Sequence, residues 1–282
     1  MNIINKIVLF GSNGFVGTNF LNDTRALNYK VYSPSKSEVN LLNKSEILSY
    51  LKLKKPDLII NAAGKVGGIL ANSENNFSFL NENILLNYNL INSSKELRIK
   101  NYINLSSSCI YPKDMNNLLK ESDILNGKLE ETNEGYALAK IYALKSCHYL
   151  SKLFNYKTII PCNLYGPFDD FNHTTSHMIP GVISRVHDAK INNKKHVQMW
   201  GNGKVRREFM YIEDFIDFLY FALRNFSQIP NILNVGLGHD FSIIEYYNQI
   251  FSLLDYKGKL SFDNTKPSGI KQKLMDISLL QT

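Results

Sequence analysis

The chain has 282 residues, 44 % of them apolar and 20 % charged, ordinary globular values that argue against a disordered chain and allow a core in one or two lobes. Its formal charge of +7 is spread over short clusters such as LKLKK (51–55) and NNKK (192–195), with no aromatic-interleaved basic stripe; nucleic-acid binding is not expected, and an anionic substrate is. Cys109, Cys147 and Cys162 cannot all pair internally and lack a metal-ligand spacing, and no uncharged apolar run reaches the ~18 residues that span a bilayer; reduced thiols, no metal, no membrane and a cytoplasmic location are the expectations.

MNIIN, with no signal-peptide pattern, leads directly into a first strand, KIVLF (6–10). Further strand runs are KVYS (30–33), DLIIN (57–61), NYINLS (101–106) and KTIIPCN (157–163). Helical stretches lie between them: FVGTNFLNDTRAL (15–27), NKSEILSYLK (43–52), NENILLNYNLINSSKELR (81–98) and YALAKIYALKSCHYLSKLF (136–154). Alternation with near-continuous apolar strands predicts an α/β fold, a Rossmann-type doubly wound parallel sheet covered on both faces. After residue 164 the pattern loosens. HMIPGVISRVHDAK, YIEDFIDFLYFALRNF and SIIEYYNQIFSLL read as helices, VQMWGNGK as a strand and turn, and NILNVG as a strand. The expected division is a Rossmann domain over 1–164, with 205–236 returning to it, and a smaller C-terminal substrate-binding lobe from 165–204 and 237–282.

Between the first strand and first helix lies GSNGFVG, with Gly11, Gly14 and Gly17. Such glycines permit a tight turn, close backbone approach to a pyrophosphate and close helix–strand packing, while the helix N-terminus offers free N–H groups. After the second strand the chain reads SPSK: Ser33, Ser35 and Lys36, with no acid before Glu38. NAD sites often hold the ribose 2′-hydroxyl with an acid at this point, so hydroxyls and a cation favour the 2′-phosphate of NADP. In EGYALAK, Tyr136 and Lys140 stand at i and i+4 on one helix face. An ammonium beside a phenol should lower a pKa that starts near ~10 and make the tyrosine an acid/base group. The serine run 106–108, closing the fourth strand, supplies the hydroxyl of a Ser–Tyr–Lys triplet.

Together these residues resemble the extended short-chain dehydrogenase/reductase family. More narrowly, NAAGKVGGILAN (61–72), LSSSCIYP (105–112), TNEGYALAK (132–140), NLYGPFDDF (163–171), SHMIP (176–180), WGNGKVRREFMYIED (200–214) and KPSGIKQKLMD (266–276) resemble the GDP-L-fucose synthases, in the same order from residue 6 to about 276. That family carries out 3,5-epimerisation and 4-reduction of GDP-4-keto-6-deoxy-mannose. The resemblance implies that Gly11, Ser12, Asn13, Gly14, Phe15, Val16 and Gly17 hold the NADP(H) pyrophosphate. It also implies cofactor contacts at Lys36, Ala62, Leu105, Ser106, Lys140, Pro161, Asn163, Leu164 and His177. Tyr136 would give a proton to the C4 oxygen, Ser107 would hydrogen-bond it, and Cys109 and His177 would serve epimerisation. Asn163, Arg185, Trp200 and Arg207 would face the GDP-sugar.

A C4 ketone acidifies the C3 and C5 hydrogens, so one group must remove a proton and another return it on the opposite face. A thiol and an imidazole suit that task, both titrating near neutrality. Cys109 lies two residues beyond Ser107, on the same side if the chain there is extended. Departures from the family pattern are Asn13, Asn43 and Ser268, where some relatives carry basic, acidic and aspartate residues. The chain also closes soon after KLMDISLLQT, which implies a shortened chain or a reduced small lobe. Lys266, Lys271 and Lys273 read as nucleotide-loop contacts or solvated lysines. The resemblance further implies a homodimer through helices of the Rossmann lobe and a place in making sugars for capsular polysaccharide. Two other functions stay open: a C4-reductase of a GDP-4-keto-heptose without epimerisation, and a non-catalytic nucleotide-binding sensor. The sensor should have lost Ser107, Tyr136 or Lys140, and none is missing.

Overall fold

The computed structural model describes residues 4–115, 118–173, 175–263, 265 and 270–282. The first half runs β1 (Lys6–Phe10), α1 (Phe15–Asn22), β2 (Lys30–Tyr32), α2 (Lys44–Lys54), β3 (Leu58–Asn61), α3 (Ile69–Glu74), α4 (Asn76–Glu96), β4 (Asn101–Leu105), α5 (Glu134–Leu150) and β5 (Asn155–Pro161). The second half runs β6 (Asn163–Tyr165), α6 (Met178–Ile191), β7 (His196–Trp200), β8 (Arg206–Arg207), β9 (Phe209–Tyr211), α7 (Ile212–Arg224) and β10 (Ile232–Val235). It ends with β11 (Phe241–Ser242), α8 (Ile243–Leu253), β12 (Lys259–Asp263) and β13 (Gln272–Lys273).

Six strands form one parallel sheet in the order β10-β5-β4-β3-β1-β2. The period of two along each strand sends Ile7, Leu9, Leu58 and Ile60 into one apolar layer. Val8, Phe10 and Ile59 enter the other layer, which is why these strands read as unbroken apolar runs. One layer is closed by α1 and α7, where Phe20 stacks on Tyr220 at 4.7 Å and the Tyr220 hydroxyl donates to the Phe20 carbonyl at 2.8 Å. A separate apolar cluster joins α6, β7 and α8 through Val182, Val186, Met199, Tyr247 and Ile250. The α/β fold with a doubly wound parallel sheet is therefore as expected.

Boundaries differ in instructive ways. KTIIPCN is not one strand: β5 ends at Pro161, and β6 leaves the main sheet to pair with β9 in parallel. FVGTNFLNDTRAL stops being α-helical at Asn22, because the Asp23 carboxylate accepts the Arg25 N–H and starts a 3-10 turn over Thr24–Asn28. LSSSC is not extended beyond Ser107: a 3-10 turn over Ser108–Ile110 follows, capped by the Ser107 hydroxyl, which corrects the same-side argument for Cys109. Lys266 and Ser268 lie outside the described residues.

The late segments are tied to β8 by the buried Glu208. Its carboxylate accepts the N–H groups of Leu237 (2.5 Å), Gly238 (2.9 Å) and Met275 (3.1 Å). Burial pushes its pKa up, and those three donors oppose the shift. Glu208→Ala would strand three N–H groups, and a loss of about 3 kcal/mol in denaturant unfolding is the expected result.

Candidate active site

The sheet order reverses between β1 and β3, and the carboxyl ends of these strands meet at the glycine turn. Gly11 has φ +83°, and a Cβ there would lie 2.5 Å from the Ala62 carbonyl carbon. The turn is thus pressed against the loop that follows β3. Gly14 caps α1 with extended backbone and no side-chain cap, which leaves the first-turn N–H groups to a ligand. Phe15 and Val16 pack on the core, so they can offer a ligand only backbone, while Asn13 is exposed and Ser12 buried. This cradle fits a pyrophosphate. Beyond β2, Lys36 is exposed, but the Ser35 hydroxyl and N–H are taken by Glu38, at 2.9 and 2.8 Å. Ser35 is therefore not a free hydroxyl in this structure.

Tyr136 and Lys140 share the inner face of α5. The Lys140 Nζ donates to the Leu105 carbonyl at 2.8 Å and stands 5.6 Å from the Tyr136 ring centroid. Burial depresses Lys140 to about 8, with the Cys109 thiol pulling the other way. The Tyr136 phenol is pushed up by burial and by Cys109, contrary to the lowering expected from the i,i+4 spacing. Desolvation disfavours the charged forms of both groups, and burial rather than the neighbouring amine sets the direction for the phenol. Ser106 Oγ is buried without a partner among the described residues, beside the part-buried Ser107. Pro161 closes β5 at the carboxyl edge, and Leu164 packs on the same core.

Cys109 is buried, and burial pushes its thiol up rather than toward neutrality. Lys273 opposes that shift most strongly, followed by the Ser107 hydrogen bond and Lys140. Lys273 stands opposite Arg207 in the β13–β8 register, and Glu130 and Arg207 also act on it. Sequence reasoning left Lys273 as a nucleotide-loop or solvated lysine; only the parallel pairing of a two-residue strand sets its charge against Cys109. Alkylation of Cys109 by iodoacetamide is expected to be slow at pH 7 and slower still in Lys273→Met, measured by mass of the labelled peptide.

The other candidate substrate residues are placed variously. Asn163 Nδ2 donates to the Glu208 carbonyl at 2.8 Å, holding β6 to the β8–β9 segment. Arg185 donates to the Tyr247 hydroxyl at 3.1 Å, and its buried Nε has no partner among the described residues. Arg207 donates to the carbonyls of Arg206 and Ile270, both at 2.7 Å, and burial lowers its pKa. Trp200 is 40 % exposed at the end of β7. His177 is exposed at the start of α6, its Nδ1 3.9 Å from Asp169 Oδ1.

A pair of asparagines escaped the sequence reading. Asn83 Oδ1 accepts the Lys65 N–H at 2.8 Å while its Nδ2 donates to the Lys65 carbonyl at 3.0 Å. Asn87 accepts from Asn61 at 2.8 Å, and Asn61 in turn accepts the Ala63 N–H at 3.1 Å. Both ends of loop 61–65 are thereby fixed from α4. A Cβ on Gly64 would lie 3.7 Å from Lys140 Nζ, so the clamp lies beside the catalytic candidates. Their spacing of four on a helix is a visible signal, but polar residues in a long helix read as its wet face. Among the described residues no group of three His, Cys, Asp or Glu could hold a metal, and no helix is long and apolar enough to cross a membrane.

The sequence matches the profile of the NAD dependent epimerase/dehydratase family over residues 7–236. It is 49 % identical to a GDP-L-colitose synthase of Yersinia pseudotuberculosis, covering 98 % of this chain and 90 % of that protein. It is 40 % identical to a GDP-L-fucose synthase of Azorhizobium caulinodans, covering 98 % and 89 %. Among solved structures it is similar to a GDP-6-OMe-4-keto-L-xylo-heptose reductase of C. jejuni, with a TM-score of 0.92, 25 % identity, and 100 % and 92 % coverage. It is also similar to an NADP-bound GDP-mannoheptose C4 reductase of Campylobacter jejuni, with a TM-score of 0.88, 26 % identity, and 100 % and 92 % coverage.

Proposed function

Because the chain belongs to the NAD dependent epimerase/dehydratase family and, within it, to the GDP-L-fucose synthase group, we propose that it reduces the C4 ketone of a GDP-4-keto sugar with NADPH. The substrate in this reading is GDP-4-keto-6-deoxy-mannose, taken to GDP-L-fucose with 3,5-epimerisation. The observation that carries the proposal is the arrangement at the carboxyl edge of the sheet. The uncapped glycine turn lies against Ala62–Ala63, and a Cβ on Gly64 of the same loop would stand 3.7 Å from Lys140 Nζ. Lys140 lies beside Tyr136, and Ser107 and Lys140 both act on Cys109. NADPH, when bound, supplies a hydride to C4.

The residues of the chain do the rest. Gly11–Gly17 offer backbone N–H groups to the pyrophosphate, and Lys36 offers its charge to the 2′-phosphate. Ser107 donates a hydrogen bond to the C4 oxygen. Tyr136 gives that oxygen its proton, and the Lys140 ammonium stabilises the phenolate left behind. Arg185 and Arg207 offer charge to the diphosphate, and Asn163 and Trp200 line the sugar side. Cys109 and His177 remove and return the C3 and C5 protons.

Residues 1–164 with 205–236 are read as the cofactor domain, and 165–204 with 237–282 as the sugar-binding lobe. A homodimer through α4 and α5 is supported by the exposed Phe77, Leu85, Tyr88 and Leu138 on those helices. A cytoplasmic place in making capsular polysaccharide completes the reading.

The test is incubation with GDP-4-keto-6-deoxy-mannose and NADPH in deuterated water. NADPH oxidation with deuterium at C3 and C5 of the product is expected. Absence of oxidation with this sugar and with a GDP-4-keto-heptose would sink the reductase claim. A second reading, heptose C4 reduction without epimerisation, has support in the structural likeness to the heptose reductases. Turnover of the heptose without deuterium in the product would select it.

A further inference from the structure

We propose that Asp169 is the positioning residue of His177, accepting its Nδ1–H and leaving Nε2 as the atom that exchanges a proton with the sugar. The inference rests on the reading that His177 takes part in epimerisation. Its ground is a buried carboxylate with no adequate counter-charge. The Asp169 side chain is only 4 % exposed, and its Oδ2 has no partner among the described residues. Its Oδ1 accepts the Asp170 N–H at 2.8 Å. A carboxylate so desolvated needs a cation or donor, and the imidazole at 3.9 Å is the ion-pair partner the described residues offer.

The neighbouring acid is already engaged. Asp170 accepts from the Thr175 hydroxyl and from the Asn172 N–H at 2.9 Å. Asp170 also feels the charge of His177, but each of its oxygens already accepts a hydrogen bond, so Asp169 is the carboxylate with an oxygen still to be matched. The turn that aims it is over-determined. Gly166 and Phe168 sit at φ +149° and +66°. Asn19, on the cofactor helix α1, donates to the Pro167 carbonyl at 2.9 Å. A Cβ on Gly68 would lie 3.5 Å from the Thr175 carbonyl oxygen, so the loop after β3 backs the segment that leads to His177.

At 3.9 Å the pair is not yet hydrogen-bonded, and such contacts commonly tighten when substrate closes the site. In the closed arrangement a proton leaves the sugar carbon for Nε2, or returns from it. The C–H electron pair rests meanwhile in the C4 enolate, and the imidazolium keeps its second N–H directed at the Asp169 carboxylate.

The test uses Asp169→Asn, which retains an Oδ1 for the Asp170 N–H, removes the charge and turns the second oxygen into an N–H donor. With GDP-4-keto-6-deoxy-mannose in deuterated water, wash-in at the exchanging carbons is expected to slow at least about tenfold, with the sugar KM within about twofold. Asp169→Glu should recover part of that rate. Nitrogen-15 NMR of His177 in the full chain should show the Nδ1–H tautomer dominant, and a mixture in Asp169→Asn. An unchanged tautomer, or wild-type wash-in in Asp169→Asn, overturns the proposal. If His177→Gln exchanges deuterium like the wild type, the epimerisation reading of His177 fails instead, and the tautomer measurement still decides the pairing.

Discussion

Tyr136→Phe is expected to slow NADPH-dependent C4 reduction about 10³-fold, with little change in KM for the sugar. The expectation follows from the protonation state that the pocket imposes. Burial holds the phenol neutral, and that is the form a proton donor needs before hydride arrives. Once the proton has moved to the C4 oxygen, a phenolate remains in a desolvated site. Lys140 is the cation at hand, 5.6 Å from the ring and held by the Leu105 carbonyl. The same burial lowers Lys140 to about 8, so its charge is present below that pH and lost above it. A fall of kcat/KM on the alkaline side of about 8, absent in Lys140→Met, is the companion expectation. Deuterium wash-in at C3 and C5 should survive, at a reduced rate, in Tyr136→Phe, because Ser107 remains to hydrogen-bond the enolate oxygen at C4. A reduction rate within tenfold of wild type would place the proton donor elsewhere.

The fold was largely legible because apolar runs and glycine turns report burial and backbone sterics directly. β1, β3 and β4 are buried on both faces, and their sequences say so without help from distant residues. Short elements such as β8, β11 and β13 have two residues each, too few for any periodicity, and they exist only through pairing with one another. Lys273 was opaque for that reason. The candidate site residues could be named from the sequence by type, but their electrostatics could not be read from it. An i,i+4 spacing reports that Tyr136 and Lys140 share a face, whereas desolvation depends on everything packed around them. The expected lowering of Tyr136 and the near-neutral Cys109 both failed on that point. LSSSC failed differently: the Ser107 hydroxyl competes for the Cys109 N–H and starts a 3-10 turn, a local hydrogen bond that alternation arguments ignore.

Gly17→Ala is expected to destabilise the cofactor-free protein by about 3 kcal/mol, a fall of roughly 8 °C in Tm, whereas Gly14→Ala should cost about 1 kcal/mol or less. The two glycines share a motif but not a constraint. A Cβ on Gly17 would collide with the Gly11 carbonyl oxygen and lie 2.6 Å from the Ser12 Cα. These are backbone atoms of a turn already pinned at Gly11, which has φ +83° and lies against the Ala62–Ala63 peptide. Nothing there can yield without moving the carboxyl end of β1 or the loop beyond β3. A Cβ on Gly14 meets only the Gly11 carbonyl oxygen at 3.3 Å, and its φ of −84° is ordinary for any residue. The stability cost at Gly14 is therefore that of a weaker helix cap. Binding should reverse the ranking of what is informative: in the proposed site, a methyl at Gly14 would stand where the pyrophosphate approaches the backbone. In a protein that remains folded it should raise the NADPH Kd at least about tenfold. Thermal unfolding of both variants with and without NADPH separates the effects. A Gly17→Ala midpoint within a degree of wild type would mean that α1 does not approach β1 as closely as described. Unchanged NADPH affinity in Gly14→Ala would remove the pyrophosphate from this turn.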